Sequence, residues 1–269
     1  MLKKIAIVLG AVLLVVVLFF CFAFFGNPVS KMLVTKNAEK YIQENFADEN
    51  YAIESVAYNF KTSDYYVEVV SPDGIDRHFT LYGGLDGKIT FDTYKSTVAD
   101  KWNTAGRINN EYRKKVDEVF DGDKFLYNHH ISFGDIQFSS ADYAEDESVP
   151  DYAIPTETLT LDGEYDIYEM GKKAGCLTLY VYDDTVSAEK LSEILLAVKE
   201  LMDKEKVGFK AINCVLEYPK PEDDSPWKEG RAEVMHFLYE DIHSDGISER
   251  VNVANEEASE YYAKLDDKK

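Results

Sequence analysis

An uncharged apolar run near the N-terminus constrains this chain more than any other feature. Lys3 and Lys4 precede the run, which then continues for 21 residues without a charge, from Ile5 to Phe25. At about 1.5 Å of rise per residue, a helix of this length covers about 30 Å, the thickness of the hydrocarbon core of a bilayer. The run therefore predicts a single-pass transmembrane anchor in residues 1–26.

A cleaved signal peptide and a lipidated N-terminus are the alternatives for the same run. Signal peptidase requires small residues at two positions before the cleavage site, whereas this run ends in Phe-Ala-Phe-Phe-Gly. Lipidation at Cys21 requires a small preceding residue, and Phe20 stands there. We therefore favour an uncleaved anchor. The lysines before the run place its start in the cytoplasm and the rest of the chain outside, although Lys31 and Lys36 weaken this bias.

The composition limits the classes of partner. The chain has 50 acidic and 29 basic side chains and a formal net charge of −21. Such a charge repels nucleic acid and anionic lipid headgroups, so no nucleic-acid partner is expected. The 19 tyrosines and 15 phenylalanines provide ample apolar surface for a core, so the acidity does not indicate disorder.

Residues 27–120 have the pattern of a helix, a strand meander and a second helix. Apolar residues recur at helical spacing in the first helix, at Val34, Ala38, Tyr41 and Ile42. Alternating patterns then predict strands over 56–60, 65–70, 75–81 and 88–94. The turn Ser-Pro-Asp-Gly at 71–74 predicts a hairpin between the second and third strands. Residues 98–119 have the period of a long amphipathic helix.

An acidic, proline-containing connector is predicted over 121–155, with a single strand at 131–138. Residues 156–269 then predict a second α+β domain with an antiparallel or mixed sheet. Its predicted strands cover 158–161, 176–182, 210–218 and 232–241. Its predicted helices lie around 165–172, after the N-cap residue Ser187, and from Ile247 to Leu265. The fold class is therefore α+β, with an N-terminal transmembrane helix followed by two α+β domains.

The order of these segments resembles a known family. The membrane helix is followed by Gly-Asn-Pro at 26–28, then by Gly-Cys-Leu-Thr-Leu-Tyr-Val at 175–181 and Phe-Leu-Tyr-Glu-Asp-Ile at 237–242. In this respect the chain resembles the YfjL-like proteins, an uncharacterised Gram-positive group. The resemblance implies one membrane anchor and two extracytoplasmic α+β domains. The first half is also similar to PepSY-type and cystatin-like folds, which bind or inhibit, although only by analogy.

Local catalytic and cofactor motifs are absent from the sequence. It contains no phosphate-binding glycine loop, no zinc-protease motif, no nucleophile elbow and no Cys-x-x-Cys pair. His129 and His130 are adjacent, so on a strand they point to opposite faces and do not readily share a metal. The acidic runs 145–147 and 222–224 lack the spacing of a calcium loop. We therefore expect no cofactor, no metal and no enzymatic activity, while carboxylates from distant segments leave an envelope hydrolase as the alternative.

Cys176 and Cys214 each lie in a strand-like apolar run. Two buried free thiols are the favoured interpretation, and a disulfide between neighbouring strands is the alternative.

Aromatic side chains are the remaining candidates for a binding site. Tyr65 and Tyr66 occupy opposite faces of one predicted strand, so one of them is exposed or is covered by a partner. Trp227 lies in a polar loop, where an exposed indole suits protein, peptide or glycan recognition. These residues favour a binding module of the cell envelope, with an envelope protein or peptide as partner. A structural accessory subunit of a membrane complex is a further alternative.

Overall fold

The computed structural model describes residues 2–122, 124–140, 149–221, 226 and 228–266. It confirms an α+β fold with antiparallel and mixed sheets. The helices are α1 (Leu2–Phe25), α2 (Pro28–Asn45), α3 (Trp102–Phe120), α4 (Ile167–Ala174), α5 (Ala188–Glu205) and α6 (Ile247–Asp266). The strands are β1 (Ala52–Asn59), β2 (Asp64–Val70), β3 (His78–Gly83), β4 (Ile89–Asp92), β5 (Asn128–Ile136), β6 (Phe138–Ser139), β7 (Ile154–Pro155), β8 (Gly175–Tyr182), β9 (Ala211–Glu217) and β10 (Arg231–Leu238).

The chain forms two compact units. The first contains residues up to Thr104 together with the later segment Leu159–Gly163, and the second contains Ala105–Thr158 and the residues from Glu164 onward. The border between the units thus lies within α3, and β5 lies in the region predicted to be a connector. The sequence predicted two independently folding domains with limits at 27–120 and 156–269, and these limits stay a prediction.

The first unit is a four-stranded antiparallel meander with α2 on one face. The strands follow the order β1-β2-β3-β4, so the predicted hairpin between β2 and β3 is confirmed. Alternate residues of β2 and β3 are buried because only one face of the sheet packs against α2. The core of this unit contains Val34, Ala38, Tyr65, Val67, Val69, Phe79 and Leu81.

A distant segment completes the first unit. The strand predicted at 158–161 is wrong: a single 3-10 turn covers Thr156–Thr158, and Leu159–Gly163 then packs against the meander. The carboxylate of Asp162 accepts a hydrogen bond from the backbone N–H of Asp76 at 2.7 Å and one from Nε of Arg77 at 2.9 Å. Tertiary hydrogen bonds to the turn between β2 and β3 therefore replace the ladder that a strand would have made.

The second unit contains a mixed sheet in the order β10-β9-β8-β5. β8 and β9 are parallel and are joined through α5, whereas β5 and β10 pair antiparallel with their neighbours. Ser187 caps α5 as predicted, because its side chain accepts a hydrogen bond from the backbone N–H of Lys190 at 3.2 Å. Leu191, Ile194, Leu195 and Val198 form the buried face of that helix.

Tyr112 on α3 fills a space that glycines provide. The side chain is fully buried, and its hydroxyl donates a hydrogen bond to the carbonyl oxygen of Gly208 at 2.9 Å. A Cβ atom at Gly134, Gly171 or Gly175 would collide with this side chain. These glycines therefore let the sheet, α4 and α3 approach closely.

Among the described residues, one N-terminal helix is long and apolar enough to cross a membrane, judged by length and composition. A signal sequence meets the same two criteria. The side chains of α1 that the structure describes are exposed along its length, Leu13 and Phe24 among them. The helix thus has the outward-facing apolar surface that a lipid environment accommodates.

Candidate binding site

Tyr65 and Tyr66 lie on opposite faces of the first sheet, as predicted. Tyr65 faces α2 and is only 1% exposed, and burial raises the pKa of its phenol. Its hydroxyl donates a hydrogen bond to the carbonyl oxygen of Asn27 and accepts one from the N–H of the same residue, both at 2.9 Å. Of the two tyrosines, Tyr66 is therefore the one that lies on the side available to a ligand.

Tyr66 belongs to a row of aromatic rings across the face of the sheet that α2 does not cover. The strand register places Tyr66 opposite Tyr82 and Tyr82 opposite Phe91. The ring centroids are 4.8 Å apart for Tyr66 and Tyr82 and 5.6 Å apart for Tyr82 and Phe91. We call these three residues the aromatic row. Phe91 lies on edge strand β4 and is 62% exposed, so the row ends on an open apolar ring.

Small and polar side chains surround the aromatic row. Ala57 on β1 lies opposite Tyr66, and the side-chain amide of Asn59 donates a hydrogen bond to the Tyr66 hydroxyl at 2.8 Å. Beyond the row, Thr80 donates to the carboxylate of Glu68 at 3.2 Å. The face thus combines stacking surface with hydroxyl and carboxylate acceptors, which is the chemistry of a recognition surface.

Sequence reasoning missed Tyr82 and Phe91. Phe91 lies in a predicted strand and Tyr82 directly follows one, and continuing the alternation places both on the same face as Tyr66, so the sequence contained a signal. The strand register, however, was needed to bring the three rings together. Trp227, the third predicted binding residue, lies outside the described residues.

Comparison with known families finds two consecutive domain matches. The chain matches the YfjL-like N-terminal domain over residues 1–93 and the YfjL-like C-terminal domain over residues 111–252. The chain belongs to the YfjL-like family. The aromatic row lies entirely within the N-terminal match, and the second sheet lies within the C-terminal match. No curated protein and no solved structure matches the chain.

In the C-terminal YfjL-like domain, the two adjacent histidines point in different directions, as the strand pattern predicts. His129 packs against Phe120 and Phe125, with ring centroids 6.0 and 5.5 Å away. His130 stacks on Tyr182 at 4.6 Å. Within the described part of the chain, no three His, Cys, Asp or Glu side chains form a group that could hold a metal ion. Residues 145–147 and 222–224 lie outside that part.

Cys176 and Cys214 are free and buried, as the favoured interpretation of the sequence predicted. Burial raises the pKa of the Cys176 thiol to about 11 and that of the Cys214 thiol to about 12. Because the thiolate is the reactive species, both side chains are weak nucleophiles near neutral pH.

These raised pKa values predict loss of stability in alkaline solution. A group with a folded-state pKa above its unfolded value stabilises the fold at low pH, and this contribution disappears as the pH rises through the folded pKa. For Cys176 and Cys214 this window extends from about pH 9 to about 12. A hydrogen bond to Asp92 and burial also raise the pKa of Tyr41 to about 12. We therefore expect the free energy of unfolding, measured with denaturant at stepped pH, to fall above about pH 9.

A thiol reagent provides the control for that measurement. At pH 7 the native protein should leave Cys176 and Cys214 unmodified, and denaturant alone, without reductant, should expose both. A loss of stability that is complete below pH 9, or rapid labelling of Cys176 or Cys214 in the native protein, would contradict the assignment.

Proposed function

We propose that this YfjL-like protein is a membrane-anchored binding module that holds an envelope protein or peptide on its aromatic row. The observation that carries this proposal is the open sheet face, on which Tyr66, Tyr82 and Phe91 form a continuous line of rings. The opposite face of the same sheet is filled by α2. Aromatic side chains are enriched at protein interfaces because a ring provides a large contact area with few rotatable bonds.

Packing within the sheet explains only part of the aromatic row. Cross-strand aromatic pairs stabilise a sheet by about 0.2–1 kcal/mol each, which accounts for the contact of Tyr66 with Tyr82. Phe91 differs because it lies on an edge strand and leaves most of its ring in solvent. A partner that covered this ring would bury apolar surface that the isolated sheet leaves in water.

Two carboxylates of the first unit and the two buried thiols support binding over catalysis. Asp76 is buried and accepts a hydrogen bond from the Thr104 hydroxyl at 2.7 Å, and the neighbouring Asp162 holds the Arg77 side chain. These acids therefore have structural partners within the fold. Both cysteines are buried thiols with raised pKa values, which makes them poor nucleophiles.

The anchor places the module at the membrane surface. We infer that α1 is an uncleaved span, with Lys3 and Lys4 in the cytoplasm and both units outside. The apolar length of α1 and the absence of a small-residue cleavage pattern in the sequence support an uncleaved span, and the two lysines before the run support its orientation. A binding module in this position acts on partners in the same membrane or in the envelope next to it.

Site-specific photocrosslinking in cells tests the binding face. We expect a photoreactive phenylalanine analogue at Phe91 of the full chain to form a defined adduct. The same analogue at Ile75, which is 70% exposed on the turn between β2 and β3, should form none. Tyr66→Ser combined with Tyr82→Ser should lower the adduct yield at Phe91 by more than about tenfold, because central interface aromatics dominate binding energy.

The melting temperature of the same double variant is the matched control. It should fall by only a few degrees, since the rings are partly exposed and the sheet core lies on the other face. Equal adduct yields at Phe91 and Ile75, or a yield that the double variant leaves unchanged, would reject the aromatic row as the binding face.

A further inference from the structure

The end of α1 and two turns of the first sheet lie at the same end of the first unit. The hydrogen bonds between Asn27 and Tyr65 fix the start of α2 beside the start of β2. The Ser30 hydroxyl donates to the carbonyl oxygen of Leu85 at 2.6 Å, in the turn between β3 and β4. In an antiparallel meander the first and third turns share one end, so the turn between β1 and β2 lies there too. We call this the anchor end.

Apolar side chains are exposed at the anchor end. Phe60, in the turn between β1 and β2, is 51% exposed, and Leu85, in the turn between β3 and β4, is 48% exposed. The end of α1 and the first turns of α2 contribute the further exposed residues Phe25, Val29 and Met32. A cluster of exposed apolar side chains of this kind indicates a surface that contacts another apolar phase.

The charges of the first unit are distributed unevenly between its two ends. Four exposed lysines occupy the anchor end, namely Lys31, Lys36, Lys61 and Lys88, against the two acids Asp64 and Asp86, of which Asp86 pairs with Lys88 at 3.3 Å. The opposite end contains the acidic residues Glu44, Asp48, Glu49 and Asp73, together with Arg77, which pairs with Glu49 and Asp162. The net charge of −21 repels anionic lipids from the chain as a whole, but the local charge of the anchor end is positive. Apolar residues mixed with lysines are typical of segments that lie in the headgroup layer.

The connection between α1 and α2 holds the anchor end in place. Gly26 has φ of +70°, and a Cβ at this position would collide with the hydroxyl of Tyr65 and the ring of Tyr58. The side chain of Asn27 then caps α2 by accepting a hydrogen bond from the N–H of Ser30 at 2.8 Å. The chain therefore leaves α1 through a turn that is packed against the sheet, rather than through a free linker.

We propose that the anchor end lies in the headgroup layer of the membrane that α1 crosses and binds anionic phospholipids there. Phe60, Leu85 and Met32 enter the interface, and Lys31 and Lys61 contact lipid phosphates. This inference rests on the proposed anchor. It adds to the proposed function a fixed orientation of the first sheet, with the turn between β2 and β3 pointing away from the membrane.

Spin-label accessibility of the full chain tests the proposal. Two labelled proteins are reconstituted in vesicles of phosphatidylcholine with phosphatidylglycerol. Both contain Cys21→Ala, and each has one spin label, attached at either Thr62→Cys or Asp73→Cys. Thr62 and Asp73 are exposed residues in turns at opposite ends of the same sheet. The label at Thr62 should be protected from a water-soluble nickel complex and accessible to oxygen, and the label at Asp73 should show the reverse.

Charge reversal separates the lipid contact from the anchor. Lys31→Glu with Lys61→Glu should raise nickel accessibility at Thr62 severalfold in these vesicles, and Ile75→Ser, a change at the far end, should leave it unchanged. If the chain still floats with the vesicles in high salt but the Thr62 label is as accessible to nickel as the Asp73 label, the proposal is overturned and the anchor is not. A chain that high salt releases from the vesicles would overturn the anchor itself.

Discussion

Replacing Tyr112 by alanine should reduce the stability of the second unit by about 3–5 kcal/mol, the range for truncating a large buried aromatic side chain. Tyr112 is fully buried, and the backbone of three glycines packs against its ring. Since this backbone has little freedom to move, it cannot fill the cavity that the substitution would leave. The change also leaves the carbonyl oxygen of Gly208 without its hydrogen-bond donor. Denaturant unfolding of the full chain in mild detergent measures the loss.

Two further variants separate the contributions to this effect. Tyr112→Phe keeps the ring and should cost about 1–3 kcal/mol, because only the buried hydrogen bond is lost. Gly171→Ala should also be severe, since the new methyl group would collide with the carbonyl oxygen of Gly208. Amide hydrogen exchange should localise these losses to β5 and β8, while β2 and β3 stay protected. A Tyr112→Ala protein of nearly wild-type stability would contradict the packing described.

Replacing Asp162 by alanine should release Leu159–Gly163 from the first unit and cost about 1.5–3 kcal/mol, the range for hydrogen bonds to charged groups. The Asp162 carboxylate joins the backbone N–H of Asp76 and the side chain of Arg77 across more than 80 residues of sequence. Its loss leaves the N–H of a buried residue without its acceptor. We expect faster amide exchange at Asp76 and at the turn between β2 and β3.

Asp162→Asn is the matched control for this variant. Residue 162 has φ of +62°, a conformation that asparagine tolerates better than alanine, and the amide oxygen can still accept from Asp76. Only the charge opposite Arg77 is removed, and the ion pair is partly exposed, so this change should cost less than about 1 kcal/mol. Equal losses for the alanine and asparagine variants would indicate that charge alone holds the segment.

The local sequence predicted most of the helices and strands because their apolar periods agree with their final environment. The 3.6-residue period of α2 and α5 matches their buried faces, and the two-residue period of β2 matches the burial of alternate side chains. The segment 158–161 was predicted to be a strand, and the structure contains no strand there. Its conformation is determined by Asp162, whose hydrogen-bond partners lie far away in the sequence.

The candidate site was predicted only in part. The alternation within β2 was enough to place Tyr65 and Tyr66 on opposite faces, but nothing local indicated which face α2 would cover. The aromatic row depends on the pairing register of three strands, and a shift of one residue would place Tyr82 or Phe91 on the other face. No single segment contains that information.

The sequence by itself determined the apolar N-terminal helix, the α+β class, the family and the positions where most elements begin and end. These properties depend on local composition and period, which each segment carries independently of the others. The tertiary structure alone decided that β5 joins the second sheet and that residues 159–163 complete the first unit. It also decided that the three rings of the aromatic row lie side by side on one sheet face, and that the β1–β2 and β3–β4 turns lie together at the anchor end. These outcomes depend on which distant segments pack together, and that is decided by burial and hydrogen bonding over the whole chain.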